Sequence, residues 1–249
     1  MTSAAVLSQI DNQLLAACEV QQGFLQQRPP ALDTLSYSAR CRQVGEVGGD
    51  CYDFLPLFGD RLAFAIGDAS GKGVPAALMI ANVQSSLRTA ALFTGEDAAA
   101  TVAVVNRQLC ASSLDGKYAT LFYGVFDAVT RTLHYVNAGH NPPVVIRRDS
   151  PAIWLDKGGV PVGLFPDCSY ESGTVQLEPS DLVVCYTDGV VEAASSTGEE
   201  WGVKGLCRAA LASRSRSAED IVEAIFSAVN CFSPARQADD ATVVVLHVG

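Results

Sequence analysis

Aspartates recur at the edges of the most apolar segments of this chain. VGGDCYD (47–53), FAIGDASGKG (64–73), LVVCYTDGVVEA (182–193) and ADDATVVVL (238–246) each set a short acid at a strand end or adjoining turn, where a stiff backbone can aim it. A single Asp-Gly pair is an ordinary turn signal. Four such sites, three of them terminating very apolar strands, are hard to explain as four independent turns. Aspartate packs closely around a small hard cation, and a neighbouring glycine lets a backbone carbonyl approach as a further oxygen donor. An all-oxygen set without His or Cys selects Mg2+ or Mn2+ over zinc. Two such ions side by side lower the pKa of a bridging water to give a hydroxide nucleophile at neutral pH, and the substrate that calls for this is a phosphoester.

The stretch GDASGKG (67–73) invites a different reading, a nucleotide-cradling loop. That motif, GxxxxGK[ST], needs a hydroxyl residue after its lysine and a glycine six residues before it. Here Gly73 follows Lys72, and Gly67 stands five residues ahead, so the nucleotide reading fails. Gly71, Gly73 and Pro75 instead read as the entry to a helix starting near residue 74, with Lys72 part of the turn.

The elements that must position these acids follow from periodicity. Val6, Ile10, Leu14, Ala17, Val20 or Gln21, Phe24 and Leu25 repeat at helical spacing and then meet Pro29-Pro30, an amphipathic helix that either lies on its own domain or serves as a linker or dimer helix. Strand-like runs follow at 35–41, 51–58 and 61–68, with a hairpin turn at Phe58-Gly59-Asp60. Helices are expected over 74–92 and about 97–113, then strands at 118–128, 132–139, 143–148, 152–155, 170–177 and 181–188. Two more helices, about 203–213 and 217–231, precede a last strand at 241–248. This order lacks the regular alternation of a doubly wound sheet and predicts an α+β fold in which antiparallel sheets are covered by helix pairs. Residues 1–28 read as the terminal helix, and 29–249 as one domain without an internal linker.

Composition narrows the classes. The 249 residues are 49% hydrophobic and 18% charged, a globular balance. A net charge of −10 argues against nucleic acid as a partner. The N-terminus has no basic region followed by a long apolar core, so no signal peptide is expected, and the apolar runs are strand-sized, so no membrane span is expected either. The eight cysteines have no CxxC spacing, which leaves zinc unsupported and fits a reduced cytoplasmic compartment.

Taken together, VGGDCYD, GDASGKGVPAAL, NAGHNPP, YTDGVVEA and DDAT resemble the SpoIIE/RsbU-like branch of the PPM protein serine/threonine phosphatases, over about residues 29 to 249 and in that family's order. The resemblance implies a β-sandwich between two helical layers and a binuclear Mn2+ or Mg2+ centre. It implies Asp50 and Asp68 as central ligands, Asp68 bridging, with the carbonyl of Ala69, and Asp188 and Asp239 completing the first site. Asp240 is the immediate alternative to Asp239, and Asp53 is an outer candidate or a turn residue. It further implies a phosphoserine or phosphothreonine substrate on a STAS-domain anti-sigma-factor antagonist, within partner-switching control of transcription. The helix before the domain is similar to the signalling helix that joins a sensor to the phosphatase. With no sensor ahead of it, the chain is read as a free-standing phosphatase or a catalytic fragment, dimerising through that helix. The helix over about 74–92 corresponds to one implicated in switching between metal-competent and inactive states.

Two departures stand out. Related eukaryotic-type enzymes carry a His after the bridging Asp-Gly, where this chain has Asp68-Ala69-Ser70. The phosphate-gripping arginine of many relatives is replaced by Gln43-Val44-Gly45-Glu46, leaving Arg40 or Arg42 as substitutes. His140 is read as a turn-stabilising hydrogen-bonding residue rather than a ligand, and Glu192 as starting a helix or pairing locally. Two other classes compete: a phosphatase-fold binding module without turnover, and a metallo-phosphodiesterase, which the lack of a His-rich ligand set disfavours. Truncation through Pro30 is expected to leave metal binding intact and to weaken any dimer; an unchanged oligomer in sedimentation would count against the linker-helix reading.

Overall fold

The computed structural model describes residues 3–25, 31–112, 116–148, 150–234 and 237–249. The proline stop at 29–30 and the expected domain boundary at 28/29 lie outside the described residues. In chain order the elements are α1 (Ser3–Leu25), β1 (Leu35–Arg42), β2 (Asp50–Leu57), β3 (Arg61–Ala69), α2 (Val74–Thr94) and α3 (Ala98–Ser112). Then come β4 (Ala119–Asp127), β5 (Thr132–Ala138), β6 (Val144–Ile146), β7 (Ile153–Trp154), β8 (Gly158–Gly159), β9 (Gly173–Gln176) and β10 (Leu182–Tyr186). The last are α4 (Asp188–Val191), α5 (Gly202–Ala212), α6 (Ala218–Phe232) and β11 (Ala241–Val248). Two elements escape the sequence pattern: β8, two glycines without side chains to alternate, and the single turn α4.

The strands form two sheets. One runs β1-β11-β10-β6-β7; the other runs β2-β3-β4-β5-β8, with β9 added to β5. Period-two alternation assembles four layers from them. On β3, Leu62, Phe64 and Ile66 point between the sheets, where they meet Phe122, Val183, Val244 and Leu246. The intervening Ala63 and Ala65 face α2 and α3, small enough to let Ile80, Val83, Val102 and Val105 approach closely. β10 and β11 repeat the arrangement, presenting Leu182, Val184, Val243 and Val245 to Ile221, Ile225 and Phe226 of α6. The result is the expected sandwich between two helical layers. Each fully buried Leu, Ile or Phe contributes about 1.5–3 kcal/mol.

Helix starts follow their local chemistry. Gly73 precedes α2 in the left-handed region at φ 68°, and proline occupies its first turn. Ser217 caps α6, its hydroxyl accepting from the Asp220 amide at 3.2 Å, and Glu219 and Asp220 complement the helix dipole.

α1 lies on the domain along a narrow stripe: Gln21 is buried and Leu14, Cys18 and Leu25 half-buried, while Ile10, Leu15 and Val20 remain exposed. The Gln21 carboxamide donates to the Gly48 carbonyl at 2.8 Å and accepts from the Gly48 amide at 3.0 Å. Removing α1 would therefore take away one hold on the segment that leads into Asp50, which couples the truncation to the acids. Asp53 departs from expectation, being neither a turn residue nor part of the acid group. It sits inside β2, 1% exposed, and accepts from Arg88 Nε of α2 at 2.7 Å. Arg88 Nη2 in turn donates to the Phe24 carbonyl of α1 at 2.8 Å. Breaking a buried ion pair on one side is costly, so Arg88→Ala is expected to lower stability by about 3 kcal/mol. In a thermal melt that corresponds to a drop of roughly 6–12 °C for a domain of this size; an unchanged melt would refute this role.

Candidate metal centre

The hairpin turn between β2 and β3 sets a register in which Asp50 stands directly opposite Asp68. Like charges facing each other across a strand pair are destabilising unless something offsets them. Asp50 is 2% exposed, and its Oδ2 accepts hydroxyl hydrogen bonds from Thr187 at 2.8 Å and Thr242 at 2.7 Å. These threonines belong to the other sheet: Thr187 follows β10, Thr242 lies in β11, and Thr187 Oγ1 itself accepts from the Thr242 amide at 2.9 Å. Asp50 thus joins the two sheets at one end of the sandwich. Neither threonine was singled out in the sequence, although each stands close to an acid, in YTDG and DDAT.

Asp68 occupies the penultimate position of β3 and is half-buried. An added Cβ at Gly49 would lie 3.3 Å from the Ala69 carbonyl oxygen and 3.6 Å from Asp68 Oδ1, so the bare glycine leaves space beside both oxygens. Asp188 is the first residue of α4, behind the Thr187 cap. Glu192 ends that helix rather than starting one, its amide donating to the Asp188 carbonyl at 2.8 Å.

The adjacent acids of ADDAT have diverged in use. Asp240 accepts from the Val44 amide at 2.8 Å through one oxygen and from the Gly49 amide at 2.8 Å through the other, which clamps the loop between β1 and β2. A side chain at Gly48 would collide with that carboxylate. Asp239 turns outward, and its Oδ2 meets Lys72 Nζ at 2.7 Å. Lys72 is therefore more than a turn residue: Gly71 and Gly73, both in the left-handed region, swing it toward a predicted ligand.

The alternatives for a basic residue are committed elsewhere. Arg40 Nη1 donates to Glu223 at 2.7 Å, while Arg42 Nη1 donates to Asn230 at 2.9 Å and its guanidinium stacks 4.2 Å over the Phe226 ring. His140 holds its turn as expected, its amide donating to Asn137 Oδ1 at 2.7 Å. Its Nδ1 pairs with Thr120 Oγ1 at 2.9 Å, and burial pushes its pKa down to about 4.

Electrostatics reflect the crowding of acids. Burial, followed by the charge of Asp68, pushes the Asp50 carboxyl up to about 8 against the lowering effect of the threonine hydroxyls. Burial and then the charges of Asp188, Asp239 and Asp240 push Asp68 up to about 7, which Lys72 partly counters. Burial also raises Asp188. Among the described residues no three acidic, His or Cys side chains converge into a ready-made coordination cluster. The donor chemistry nevertheless suits hard divalent cations: two aspartates paired across β2 and β3, the Ala69 carbonyl at the strand end beside Asp68, and a bare glycine that keeps the space open.

Two sheets between helix pairs, with acids gathered at one end, define a PP2C/PPM phosphatase fold. The SiaA-PP2C domain of Pseudomonas aeruginosa superposes with a TM-score of 0.84 at 20% identity, covering 98% of this chain and 99% of that one. The catalytic domain of the serine/threonine phosphatase PstP, in complex with two manganese ions, superposes at 0.64 with 16% identity over 86% of this chain and 98% of its own. The chain belongs to the SpoIIE family, whose model, described as Stage II sporulation protein E (SpoIIE), matches residues 59–249. It is 29% identical to Protein IcfG of Synechocystis over 92% of this chain and 40% of that protein. It is 25% identical to Phosphoserine phosphatase RsbU of Bacillus subtilis over 99% of this chain and 73% of RsbU. It thus spans less than half the length of IcfG. Among the described residues no helix is long and apolar enough to cross a membrane.

The raised carboxyls fix a pH dependence for the metal-free protein. Asp50 and Asp68 hold protons in the fold at pH values where an unfolded carboxyl, near 3.9, has lost them. Their contribution is complete below about pH 4 and is lost as pH rises through about 7 to 8. His140 acts oppositely, its contribution being present above about 6.5 and lost as pH falls toward 4. In EDTA the melting temperature should therefore rise as pH is lowered from 8.5 to 6.5, and Asp68→Asn should flatten that rise. A flat wild-type profile would contradict the shifts.

Proposed function

We propose that this chain is a metal-dependent phosphoserine/phosphothreonine protein phosphatase. The observation that carries the reading is the in-register pairing of Asp50 with Asp68, an arrangement that costs stability without a cation between the carboxylates. Asp50, Asp68, Asp188, Asp239 and the Ala69 carbonyl are the groups that would hold two Mn2+ or Mg2+ ions. Asp240, with both oxygens taken by the Val44 and Gly49 amides, acts as the clamp of the loop rather than as a direct ligand. When bound, the ions would supply the charge that activates a water and offsets the negative charge on the phosphoryl group. The chain's own contribution is positional. Thr187 and Thr242 hold Asp50 in one orientation, and Gly49 leaves room beside Asp68 and the Ala69 carbonyl. No His follows Asp68, so the departing serine or threonine oxygen would take its proton from solvent held at the site.

The likeness to RsbU, named a phosphoserine phosphatase, supports a phosphoprotein substrate, and the family resemblance makes a STAS-domain anti-sigma-factor antagonist the first candidate. The exposed Ile10, Leu15 and Val20 of α1 support a homodimer through that helix. Eight free thiols fit a cytoplasmic setting. A second reading, a binding module that has kept the fold without turnover, draws support from the engagement of Asp239 by Lys72 and from the lack of a converged acid cluster among the described residues.

Hydrolysis of p-nitrophenyl phosphate separates the two. The protein is expected to turn over with Mn2+, to stop with EDTA, and to lose about 100-fold or more in kcat as Asp68→Asn. Equal inertness of wild type and variant, on both this ester and a phosphorylated STAS-domain protein, would favour the binding module.

A further inference from the structure

A phosphoester dianion approaching a group of carboxylates needs positive charge beside its non-bridging oxygens as well as any metal behind them. Near the acids, Arg40, Arg42 and Arg88 are committed to Glu223, to Asn230 and the Phe226 ring, and to Asp53. Lys117 also nears this turn, its Nζ 3.7 Å from the place of a Cβ on Gly71, but Lys72 is the cation that reaches an acid of the group, its partners being Asp239, at 2.7 Å, and the Ala238 carbonyl, at 3.3 Å.

We propose that Lys72 is the residue that grips the substrate phosphate, an assignment that rests on the phosphatase reading above. A divalent cation and the Lys72 ammonium draw on the same Asp239 carboxylate. With a metal on Asp239 the ammonium would lose its counter-charge while its backbone stayed in place. Its Cα is fixed between Gly71 at φ 97° and Gly73 at φ 68°, and α2 begins at the next residue. On the upstream side the Ser70 amide donates to the Tyr118 carbonyl at 2.8 Å, and the Tyr118 amide donates to Ser70 Oγ at 3.2 Å. The side chain is 68% exposed, free to turn from Asp239 to an incoming anion. An ammonium offers three donors on a flexible stem and suits the oxygens of a phosphoryl group without demanding one fixed geometry.

A cavity of about 290 Å3 opens beside this ammonium, lined by Lys72, Asp239, Arg42, Phe226, Asn230 and Glu192 among others. Phosphate held by Lys72 would sit between this cavity and the acids, with the phosphorylated segment entering from the cavity side. Lys72 would thereby take the role for which Gln43-Val44-Gly45-Glu46 offers no arginine.

The test compares wild type, Lys72→Met and Lys72→Arg, with melts confirming that the exposed substitutions leave the fold intact. Three measurements are made: kcat/KM on p-nitrophenyl phosphate at saturating Mn2+, calorimetric titration of the Mn2+-loaded protein with orthophosphate, and calorimetric titration of the metal-free protein with Mn2+. Lys72→Met is expected to lose about 100-fold in kcat/KM and about tenfold in orthophosphate affinity, while Mn2+ binds as well as before or more tightly. Lys72→Arg should recover most of the phosphate affinity. The proposal is overturned if Lys72→Met leaves both kcat/KM and orthophosphate affinity unchanged, or if it tightens Mn2+ binding while turnover at saturating Mn2+ stays the same, since the pair would then only restrain metal entry. If wild type is inert on every phosphoester, the phosphatase reading fails by itself. The calorimetry still decides the role of Lys72: orthophosphate affinity lost in Lys72→Met and recovered in Lys72→Arg supports it, and wild type that binds no orthophosphate overturns it.

Discussion

A buried carboxylate facing a second carboxylate is the constraint around which this molecule is arranged. Asp50 cannot be moved to water without unpicking the end of the sandwich, because the hydroxyls that hold it come from the opposite sheet. Between the sheets the contacts are mainly apolar and non-directional. The threonine pair adds a directional contact that fixes their relative position at one end. Stability and the acid group are therefore coupled: whatever neutralises the facing charges also strengthens the junction between the sheets.

The same economy appears in ADDAT. Asp239 sits in a bend and Asp240 just ahead of β11, so the two adjacent aspartates point different ways and serve two purposes without competing. One folds back to hold the loop that delivers Asp50; the other faces the open site and Lys72. Gly48 and Gly49 allow the loop to pass this close to the Asp240 carboxylate and the Ala69 carbonyl.

Much of this arrangement can be read from the chain. The strand-end acids are legible because four similar sites recur, and the layers are legible because large and small residues alternate on β3 with period two. Even the facing of Asp50 and Asp68 follows from a hairpin turn at residues 58–60, since pairing Leu57 with Arg61 brings 50 opposite 68. The illegible parts share one property. Thr187 and Thr242 on Asp50, Lys72 on Asp239, Arg88 on Asp53 and Gln21 on Gly48 join segments distant in sequence, and polar side chains carry no periodic signal that names a distant partner. Asp53 looks like Asp50, the other acid of its motif, and is as deeply buried; its ion pair with Arg88 of α2 separates the two.

The hold of Gln21 on Gly48 has a mechanical implication. Its oxygen accepts from both the Gly48 amide and Gln43 Nε2, and its nitrogen donates to the Gly48 carbonyl, so three hydrogen bonds depend on one side chain. A helix that advanced by a single residue would rotate by about 100° and lose all three together. α1 therefore behaves as a key with discrete seats rather than as a sliding rod, and the loop that carries Asp50 is either fully braced by it or not braced at all.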